Sequence, residues 1–257
     1  MSFLELNNIT KQFGRLSAIE DIHLNVNEGE ILGIVGPNGS GKSTLINVIT
    51  SYYRPTRGDI FFEGRKISGL RPDKIAKLGI ARTFQSNVHF ENIPVLHSVL
   101  MSSYLQYTTN NWQSFFRTKA YRAEHKEIVG RILDILKMLG LFDDFEKIFL
   151  PAPSLSHGHQ RMLGIAIALA SGPKVLLLDE PTTGMNHEEA MAVVENIKKI
   201  NEMNITVILI EHNMKVLLNL ATRVAVLNFG TKIAEGKPEE VMNKQEVIEA
   251  YLGTETI

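Results

Sequence analysis

The stretch from Gly36 to Thr44 is the part of the chain whose residue types and spacing point most directly to chemistry. It follows the pattern G-x-x-x-x-G-K-[ST], with Gly36 and Gly41 as its outer glycines. Such a loop turns backbone N–H groups toward an anion, and the start of a following helix adds partial positive charge. We therefore expect a nucleoside triphosphate site; a chance glycine turn is the weaker interpretation, because every fixed position is filled. The expected phosphate-binding residues are Gly36, Pro37, Asn38, Gly39, Ser40, Gly41, Lys42, Ser43 and Thr44.

Two of these side chains have specific chemistry. Lys42 is placed to reach the β- and γ-phosphates, and the Ser43 hydroxyl is placed to bind Mg²⁺. A second pair of candidates, Asp179 and Glu180, follows the apolar run Val175–Leu178. Asp179 suits Mg²⁺, and Glu180 can accept a proton from a water that attacks the γ-phosphate. A merely solvated strand end is the alternative, and the phosphate loop in the same chain makes it the weaker one.

Two further polar residues follow predicted strands. His212 comes after the run from Ile205, and Gln85 comes after Ile80–Phe84. The carboxyl ends of parallel strands meet at one edge of a sheet, where ligands bind. Both side chains can therefore reach a γ-phosphate, Mg²⁺ or the attacking water, although either one alone would more often be an ordinary structural residue.

A second possible anion site begins at Ser156. A serine at a helix start with a nearby glycine, Gly158, offers exposed N–H groups. His157 and His159 are only two residues apart and have no acidic neighbours, so they are weak evidence for a metal and we expect none there.

The elements that must position these residues alternate between strand and helix, which predicts a parallel sheet. Alternating polarity at Phe3–Leu6 and Ile22–Val26 predicts antiparallel strands before it, and Gly58–Gly64 predicts an edge strand. Helical spacing with no strand signal runs from about 92 to 171, which predicts a helical insertion in an α/β core of about 1–91 and 172–257. The predicted strands are Ile31–Val35, Ile80–Gln85, Val175–Glu180, Ile205–Ile210 and Val224–Leu227, and the predicted helices are Thr44–Thr50, Pro72–Lys77, Val95–Met101, Ile128–Leu136, Ser156–Ala170, Glu188–Ile200 and Met214–Leu220.

Within the insertion, the segment Gln106–Lys119 carries three aromatic residues, Trp112, Phe115 and Phe116, among polar ones. They suit either an exposed docking surface or a loop that packs its rings on its own helices. We favour the second interpretation, because large exposed apolar patches are uncommon on soluble proteins.

Composition narrows the class of protein. The 257 residues are 44% hydrophobic and 21% charged, with a net charge of −1, so nothing drives the whole chain toward nucleic acid. Cysteine is absent, which excludes disulfides and thiolate metal sites. No signal peptide and no run of ~18 apolar residues that would span a membrane is evident.

Taken in order, the phosphate loop, the Gln85 segment, Leu155–Gln160, Val175–Glu180 and His212 resemble the motifs of the ATP-binding cassette (ABC) family. The resemblance covers nearly the whole chain. It implies one nucleotide-binding domain, residues 1–257: a P-loop NTPase parallel-sheet core with an N-terminal antiparallel β subdomain and an inserted helical subdomain. It also implies ATP and Mg²⁺ as ligands.

The resemblance further implies a head-to-tail dimer with two ATP molecules between the subunits. The phosphate loop of one copy would face Ser156 and Gly158 of the other. Phe13 would stack on adenine, Gln85 would couple the site to a partner and ligate the metal with Ser43 and Asp179, and His212 would act as a switch. The residues implied for catalysis are Glu180, His212, Gln85 and Lys42.

Three positions depart from the family pattern. The usual Leu-Ser-Gly-Gly-Gln signature has His157 and His159 at its third and fifth positions here, and Asn186 stands where the family usually has Asp. These departures motivate one alternative, an ATP-binding scaffold with little hydrolysis.

Within the family, the chain resembles the ATPase subunits of branched-chain amino-acid importers. The residues that carry this resemblance are Arg82–Gln85, Thr183–Asn186, Ile210–Met214, Ile233–Gly236, Pro238–Val241 and Val247–Gly253. It implies a peripheral ATPase at the cytoplasmic face of the cell membrane, with a second ATPase subunit, membrane permeases and, indirectly, a solute-binding protein as partners. Importers of urea or short amides share much of the pattern, and a soluble ABC protein acting on ribosomes or DNA is a third alternative. No nucleic-acid partner is expected.

Overall fold

A computed structural model describes residues 3–83, 93–142 and 147–252. The chain divides into two compact units, Met1–Arg82 with Lys174–Ile257, and Thr83–Pro173. We call them the α/β unit and the helical unit and describe each by itself.

The described part of the α/β unit contains ten strands and six helices. The strands are β1 (Leu4–Phe13), β2 (Leu16–Val26), β3 (Ile31–Val35), β4 (Arg57–Phe62), β5 (Arg65–Lys66), β6 (Ile80–Arg82), β7 (Val175–Asp179), β8 (Thr206–Ile210), β9 (Arg223–Asn228) and β10 (Thr231–Gly236). Its helices, numbered in chain order with those of the helical unit, are α1 (Lys42–Ile49), α2 (Pro72–Lys77), α7 (His187–Glu202), α8 (Met214–Leu220), α9 (Pro238–Val241) and α10 (Gln245–Leu252).

The larger sheet has the order β10-β9-β3-β8-β7-β6. All neighbouring pairs from β9 to β6 are parallel, and β10 is antiparallel to β9. Every residue of β3, β7 and β8 is buried, as expected for central strands of a parallel sheet that is covered on both faces. The predicted α/β fold with a parallel sheet is therefore confirmed.

The second sheet is antiparallel and has the order β2-β1-β4-β5. It confirms the predicted antiparallel strands near the N-terminus, and its apolar face joins α1 and the larger sheet in one buried cluster. The edge position predicted for the strand at Gly58–Gly64 is wrong. Its structural counterpart β4 lies between β1 and the two-residue β5, a strand too short to leave a pattern in the sequence.

The end of the α/β unit also differs from the prediction. The sequence pattern assigned neither β10 nor the helices α9 and α10. β10 is mostly half-buried and mixes polar with apolar residues, because it is the last strand of the sheet and pairs only with β9 among the described strands. Its hydrophobic periodicity is correspondingly weak.

The helical unit consists of α3 (Val95–Ser102), α4 (Asn111–Phe115), α5 (Lys119–Met138) and α6 (His157–Ala170), together with short 3₁₀ turns. Its core lies where α3, α5 and α6 pack on one another. The buried side chains there include Val99, Ile132, Leu136 and Leu163. On α5, Ile128, Ile132 and Leu136 recur at the helical spacing that predicted the insertion.

The interpretation of the aromatic segment was wrong. Trp112, Phe115 and Phe116 are 73%, 78% and 66% exposed, so they do not pack on their own helices.

Among the described residues, no helix is long and apolar enough to cross a membrane.

Candidate active site

The phosphate loop joins the end of β3 to the start of α1, and its shape depends on glycine. Gly36, Gly39 and Gly41 have φ values of 148°, 79° and 102°, a region that other residues rarely adopt. A side chain at Gly36 would overlap the carbonyl oxygen of Leu227, and one at Gly41 would come within 2.7 Å of the Ala18 oxygen. The loop therefore cannot carry a Cβ at these two glycines without moving its neighbours.

Lys42 lies inside the loop. Its ammonium donates hydrogen bonds to the carbonyl oxygens of Gly36 and Pro37, at 2.7 and 2.9 Å. Burial lowers the pKa of Lys42, and the carboxylates of Glu180 and Asp179 oppose this shift. The two acidic residues are therefore close enough to act on the charge that the loop holds.

Two hydroxyls complete the loop. Ser40 is buried, and its Oγ has no hydrogen-bond partner within the described residues. Ser43 is exposed in the first turn of α1. Because buried polar atoms usually have a partner, the Ser40 hydroxyl and the exposed amides suit an anion such as a phosphate.

Asp179 is the last residue of β7 and is 4% exposed. Arg82, at the end of the adjacent strand β6, places a guanidinium nitrogen 3.8 Å from an Asp179 oxygen and donates a 2.5 Å hydrogen bond to Asn47 of α1. Burial lowers the pKa of Arg82, whereas the Asp179 carboxylate raises it. Arg82 therefore holds the Asp179 carboxylate in place at the carboxyl end of the sheet.

Glu180 follows at once and has a left-handed backbone, with φ at 48°. Its N–H donates to the carbonyl of Ile210 at 2.9 Å, which extends the pairing of β7 with β8 by one residue. One of its carboxylate oxygens accepts a hydrogen bond from the Thr183 hydroxyl at 3.2 Å, and the other lies 3.9 Å from Nδ1 of His212. The structure therefore brings Glu180 and His212 together, as their positions after neighbouring strands predicted.

Glu211 lies at the same edge of the sheet and was not among the predicted site residues. Its side chain is fully buried, and its two oxygens accept hydrogen bonds from the backbone and hydroxyl of Thr182 and from the backbone N–H groups of His212 and Asn213. It connects the segment after Glu180 to the segment that carries His212. The sequence signal that could have identified Glu211 is an acidic residue at the end of a mostly apolar strand.

Phe13 lies at the end of β1 and is 42% exposed. Its ring packs edge-on against Tyr53 at a centroid distance of 5.1 Å, and the Lys11 ammonium lies 4.9 Å from its centre. The partly exposed ring remains open to stacking. Burial raises the pKa of the Tyr251 phenol of α10, and the nearby Gly36 backbone opposes this shift. The C-terminal helix therefore reaches the phosphate loop.

The remaining candidates are Gln85, Ser156 and Gly158. Gln85 lies outside the described residues. Ser156 caps α6 in the helical unit: its Oγ accepts a hydrogen bond from the N–H of His159 and lies 3.1 Å from Nδ1 of the same residue. Gly158 is in the first turn of this helix, which contains no acidic residue.

The site offers hard oxygen donors to a metal. The Ser43 hydroxyl and the Asp179 carboxylate are ligands that Mg²⁺ prefers, and Mg²⁺ normally keeps several waters and nucleotide oxygens in its shell. The described residues contain no group of three or more His, Cys, Asp or Glu suited to hold a metal by themselves. A site with few protein ligands fits a cation that arrives with a nucleotide.

Comparison with known proteins identifies this arrangement. A family model described as "ABC transporter" matches residues 19–183, which include the phosphate loop and the Asp179–Glu180 pair. The chain belongs to the ABC transporter family. A second model, of the branched-chain amino acid ATP-binding cassette transporter, matches residues 231–256.

Individual proteins agree with this assignment. The high-affinity branched-chain amino acid transport ATP-binding protein LivG of Salmonella typhimurium is 37% identical over 97% of both chains. A solved ATP-binding cassette of an ABC transporter in its ADP conformation is 32% identical, with a TM-score of 0.83 over 98% of this chain and 99% of its own. A second cassette, solved as a dimer in a post-hydrolysis state with ADP and Pi, is 28% identical, with a TM-score of 0.77 over 91% of this chain and 98% of its own.

The chain is thus an ATPase of this family, and the predicted ABC fold and ATP-binding activity are confirmed.

Proposed function

We propose that this chain is the ATP-hydrolysing subunit of an importer. ATP binding and hydrolysis at a head-to-tail dimer interface are coupled to solute uptake through separate membrane permeases. The observation that carries this proposal is the placement of Glu180 and His212, 3.9 Å apart, at the sheet edge next to the buried Lys42.

The loop binds the triphosphate. Its amides and the Lys42 ammonium neutralise phosphate charge, and bonds from this cation to the nucleotide replace those to the Gly36 and Pro37 carbonyls. Phe13 offers its ring to the adenine. Ser43 and Asp179, with Gln85 as a further expected ligand, would hold Mg²⁺, which would supply positive charge to offset that of the phosphates.

The hydrolytic step falls to Glu180. Its carboxylate accepts a proton from the attacking water, and its position is fixed by the bond to Ile210 and the hydroxyl of Thr183. His212 is within reach of the same carboxylate and orients the γ-phosphate and the water. The fixed geometry matters because positioning and electrostatic stabilisation contribute most of phosphoryl-transfer catalysis.

A second copy of the chain completes the site. The N-terminus of α6, with Ser156 and Gly158, has exposed amides and no acidic residue in its first turn, so it suits the γ-phosphate of the partner's ATP. A related cassette has been solved as a dimer with ADP and Pi, which supports this arrangement.

Branched-chain amino acids are the proposed solutes, because the segment 231–256 matches the model of that transporter class and relatives at 35–37% identity carry this substrate in their names. The proposed partners are a second ATPase subunit, two permeases at the cytoplasmic face of the membrane and, through them, a solute-binding protein. Urea or short amides are the second candidate substrate class, favoured by the sequence pattern that importers of both kinds share.

The decisive experiment replaces Glu180 with Gln. The isosteric amide cannot take the proton, so we expect ATP binding to persist, turnover to be lost and an ATP-bound dimer to accumulate. Binding is measured with a fluorescent ATP analogue, turnover by phosphate release in the presence of the permease, and dimer formation by light scattering. The opposite result is that the wild-type protein has no ATPase turnover in the presence of the permease and Glu180→Gln changes nothing. That result would establish a scaffold without hydrolysis.

The transport assignment has a separate test. Pull-down of the tagged chain from native membranes should recover integral membrane permeases. Recovery of ribosomes or DNA in their place, with binding that weakens steeply with salt, would overturn it in favour of a soluble ABC protein.

A further inference from the structure

The short helix α4 of the helical unit turns three aromatic side chains outward. Trp112, Phe115 and Phe116 are each about two-thirds exposed or more. Their rings contact one another: Trp112 stacks with Phe116 at 6.0 Å, and Phe115 meets Phe116 edge-on at 5.1 Å. They form a continuous exposed apolar surface, and such surfaces mark interaction sites.

The charged residues of the segment that carries these rings are all basic. Arg117, Lys119 and Arg122 are exposed directly after α4. From Asn92 to Ala123 the sequence contains no Asp or Glu, although the whole chain carries a net charge of −1. This segregation gives the segment a positive potential that attracts an anionic surface.

The element is held in place before any partner arrives. Both carboxylate oxygens of Glu124, on α5, accept hydrogen bonds from the backbone and hydroxyl groups of Thr108 and Thr109, which precede α4. A capping box between Asn110 and Gln113 starts the helix. After it, Arg122 donates a 2.8 Å hydrogen bond to the carbonyl of Arg117. Exposed rings on an element fixed at both ends lose little conformational entropy on binding.

We propose that these six residues, Trp112, Phe115, Phe116, Arg117, Lys119 and Arg122, form a patch that binds the headgroup layer of an anionic lipid bilayer. Aromatic rings next to Lys and Arg are the composition that proteins use at a membrane interface. The observations favour a bilayer over a protein partner because the exposed rings lie in a segment, from Asn92 to Ala123, whose charged residues are all basic, which matches a uniformly anionic surface. A protein hot spot would be expected to pair with a shaped pocket on its partner. The proposal goes beyond ATP hydrolysis and does not depend on it.

The chain provides its own probe, because Trp112 is its single tryptophan. The purified full chain is mixed with vesicles of phosphatidylcholine containing about one-third phosphatidylglycerol, and with vesicles of phosphatidylcholine alone. We expect co-sedimentation with the anionic vesicles, a blue shift of the Trp112 emission and quenching by brominated acyl chains. The binding should weaken with added salt, because the attraction is screened.

Two variants separate the contribution of the aromatic rings to vesicle binding from that of the basic residues. Phe115→Ser with Phe116→Ser should abolish the blue shift and the sedimentation. Reversal of Arg117 and Lys119 to Glu keeps the hydrogen bond from Arg122 and should weaken vesicle binding by at least about fivefold for each residue. The matched control reverses two exposed basic residues of the α/β unit, Arg65 and Lys237, and should bind as the wild type does.

Equal binding by the patch variants and the control, or no binding of the wild type to anionic vesicles, would overturn the proposal. Patch-dependent binding that appears only when vesicles contain the purified permease would overturn it as well, because the patch would then recognise protein. ATP binding by every variant, measured in the same samples, verifies the fold and keeps this test separate from that of the proposed function.

Discussion

Glu211 shows how one buried residue positions the catalytic edge of the site. Four donors surround its carboxylate, two of them from Thr182 and two from the backbone of His212 and Asn213. Every one of them needs an acceptor, so a carboxylate satisfies the cluster better than an amide does. Thr182 is two residues from Glu180, and therefore Glu211 acts through both members of the Glu180–His212 pair.

Replacement of Glu211 by Gln tests this role. The amide group would face donors, which leaves buried groups unsatisfied and should cost about 1–3 kcal/mol of stability. We expect kcat to fall about ten- to hundredfold with little change in KM for ATP, because positioning is lost while the phosphate loop is intact. Thermal unfolding and steady-state ATPase assays measure the two effects. Glu189→Gln, at an exposed cap, is the control, and a parallel loss of ATP binding would contradict the positioning role.

The individual site residues could be predicted where chemistry and spacing coincide. The phosphate loop, Glu180 and His212 come after mostly apolar strands and Asp179 ends one of them, so their place at the sheet edge follows from topology. Glu211 was missed because its partners, Thr182 and the backbone of Asn213, come together only through the pairing of β7 with β8. No spacing rule in one chain records that contact.

At the scale of elements, Asn186 is a departure from the family pattern with a visible structural role. It caps α7: its side chain accepts a 2.9 Å hydrogen bond from the N–H of Glu189, and the Glu189 carboxylate accepts one in return. Asn and Asp cap helices about equally well. The cap therefore does not depend on which of the two stands at this position.

Two substitutions at Asn186 separate capping from charge. Asn186→Ala should lower the free energy of unfolding by about 1 kcal/mol, because it removes the cap. Asn186→Asp should keep it, and it tests whether a carboxylate here raises turnover in the assembled ATPase. Chemical denaturation and phosphate release provide the measurements, and equal stability of the Ala variant and the wild type would show that the cap is not used.

The link between α5 and the start of α4 should respond to acid. Hydrogen bonds from the Thr108 and Thr109 side chains lower the pKa of Glu124 to about 2, from 4.5. A carboxylate with a lowered pKa in the folded state contributes stability above its unfolded value, and this contribution is lost as the pH falls toward the folded value. The segment before α4 should therefore loosen between about pH 4.5 and pH 2.

Trp112 fluorescence reports this loosening. Wild-type emission is expected to change across that pH window, and Glu124→Gln, which carries no titrating carboxyl, should remove the Glu124 part of the change. The difference between the two titrations is the relevant measurement, because other carboxyls protonate in both proteins. Identical curves would show that the bonds to Thr108 and Thr109 do not hold α4.

At the scale of the whole chain, the sequence predicts the α/β fold well and the surface poorly. Continuous apolar runs such as β7 and β8 report burial on both faces whatever their neighbours are. The rings of Trp112, Phe115 and Phe116 carry no such signal, because their burial depends on which tertiary partner covers them. The position of β4 inside its sheet was not predicted for the same reason, because that position depends on pairing with the two-residue strand β5.

The proposed head-to-tail dimer predicts that two defective subunits rescue each other. Lys42→Ala removes the phosphate-binding cation of one copy. Ser156→Asp keeps the cap of α6 but places a negative charge where the partner's γ-phosphate would lie, so each variant alone should be nearly inactive. In an equal mixture, about half of the dimers contain one copy of each variant, and each of these mixed dimers has one intact site of its two. Activity should therefore recover to about a quarter of the wild-type value. Phosphate release measures the recovery, and Ser156→Asn, a neutral cap, is the control that isolates the charge. A mixture as inactive as its components would mean that each copy builds its site from its own residues alone.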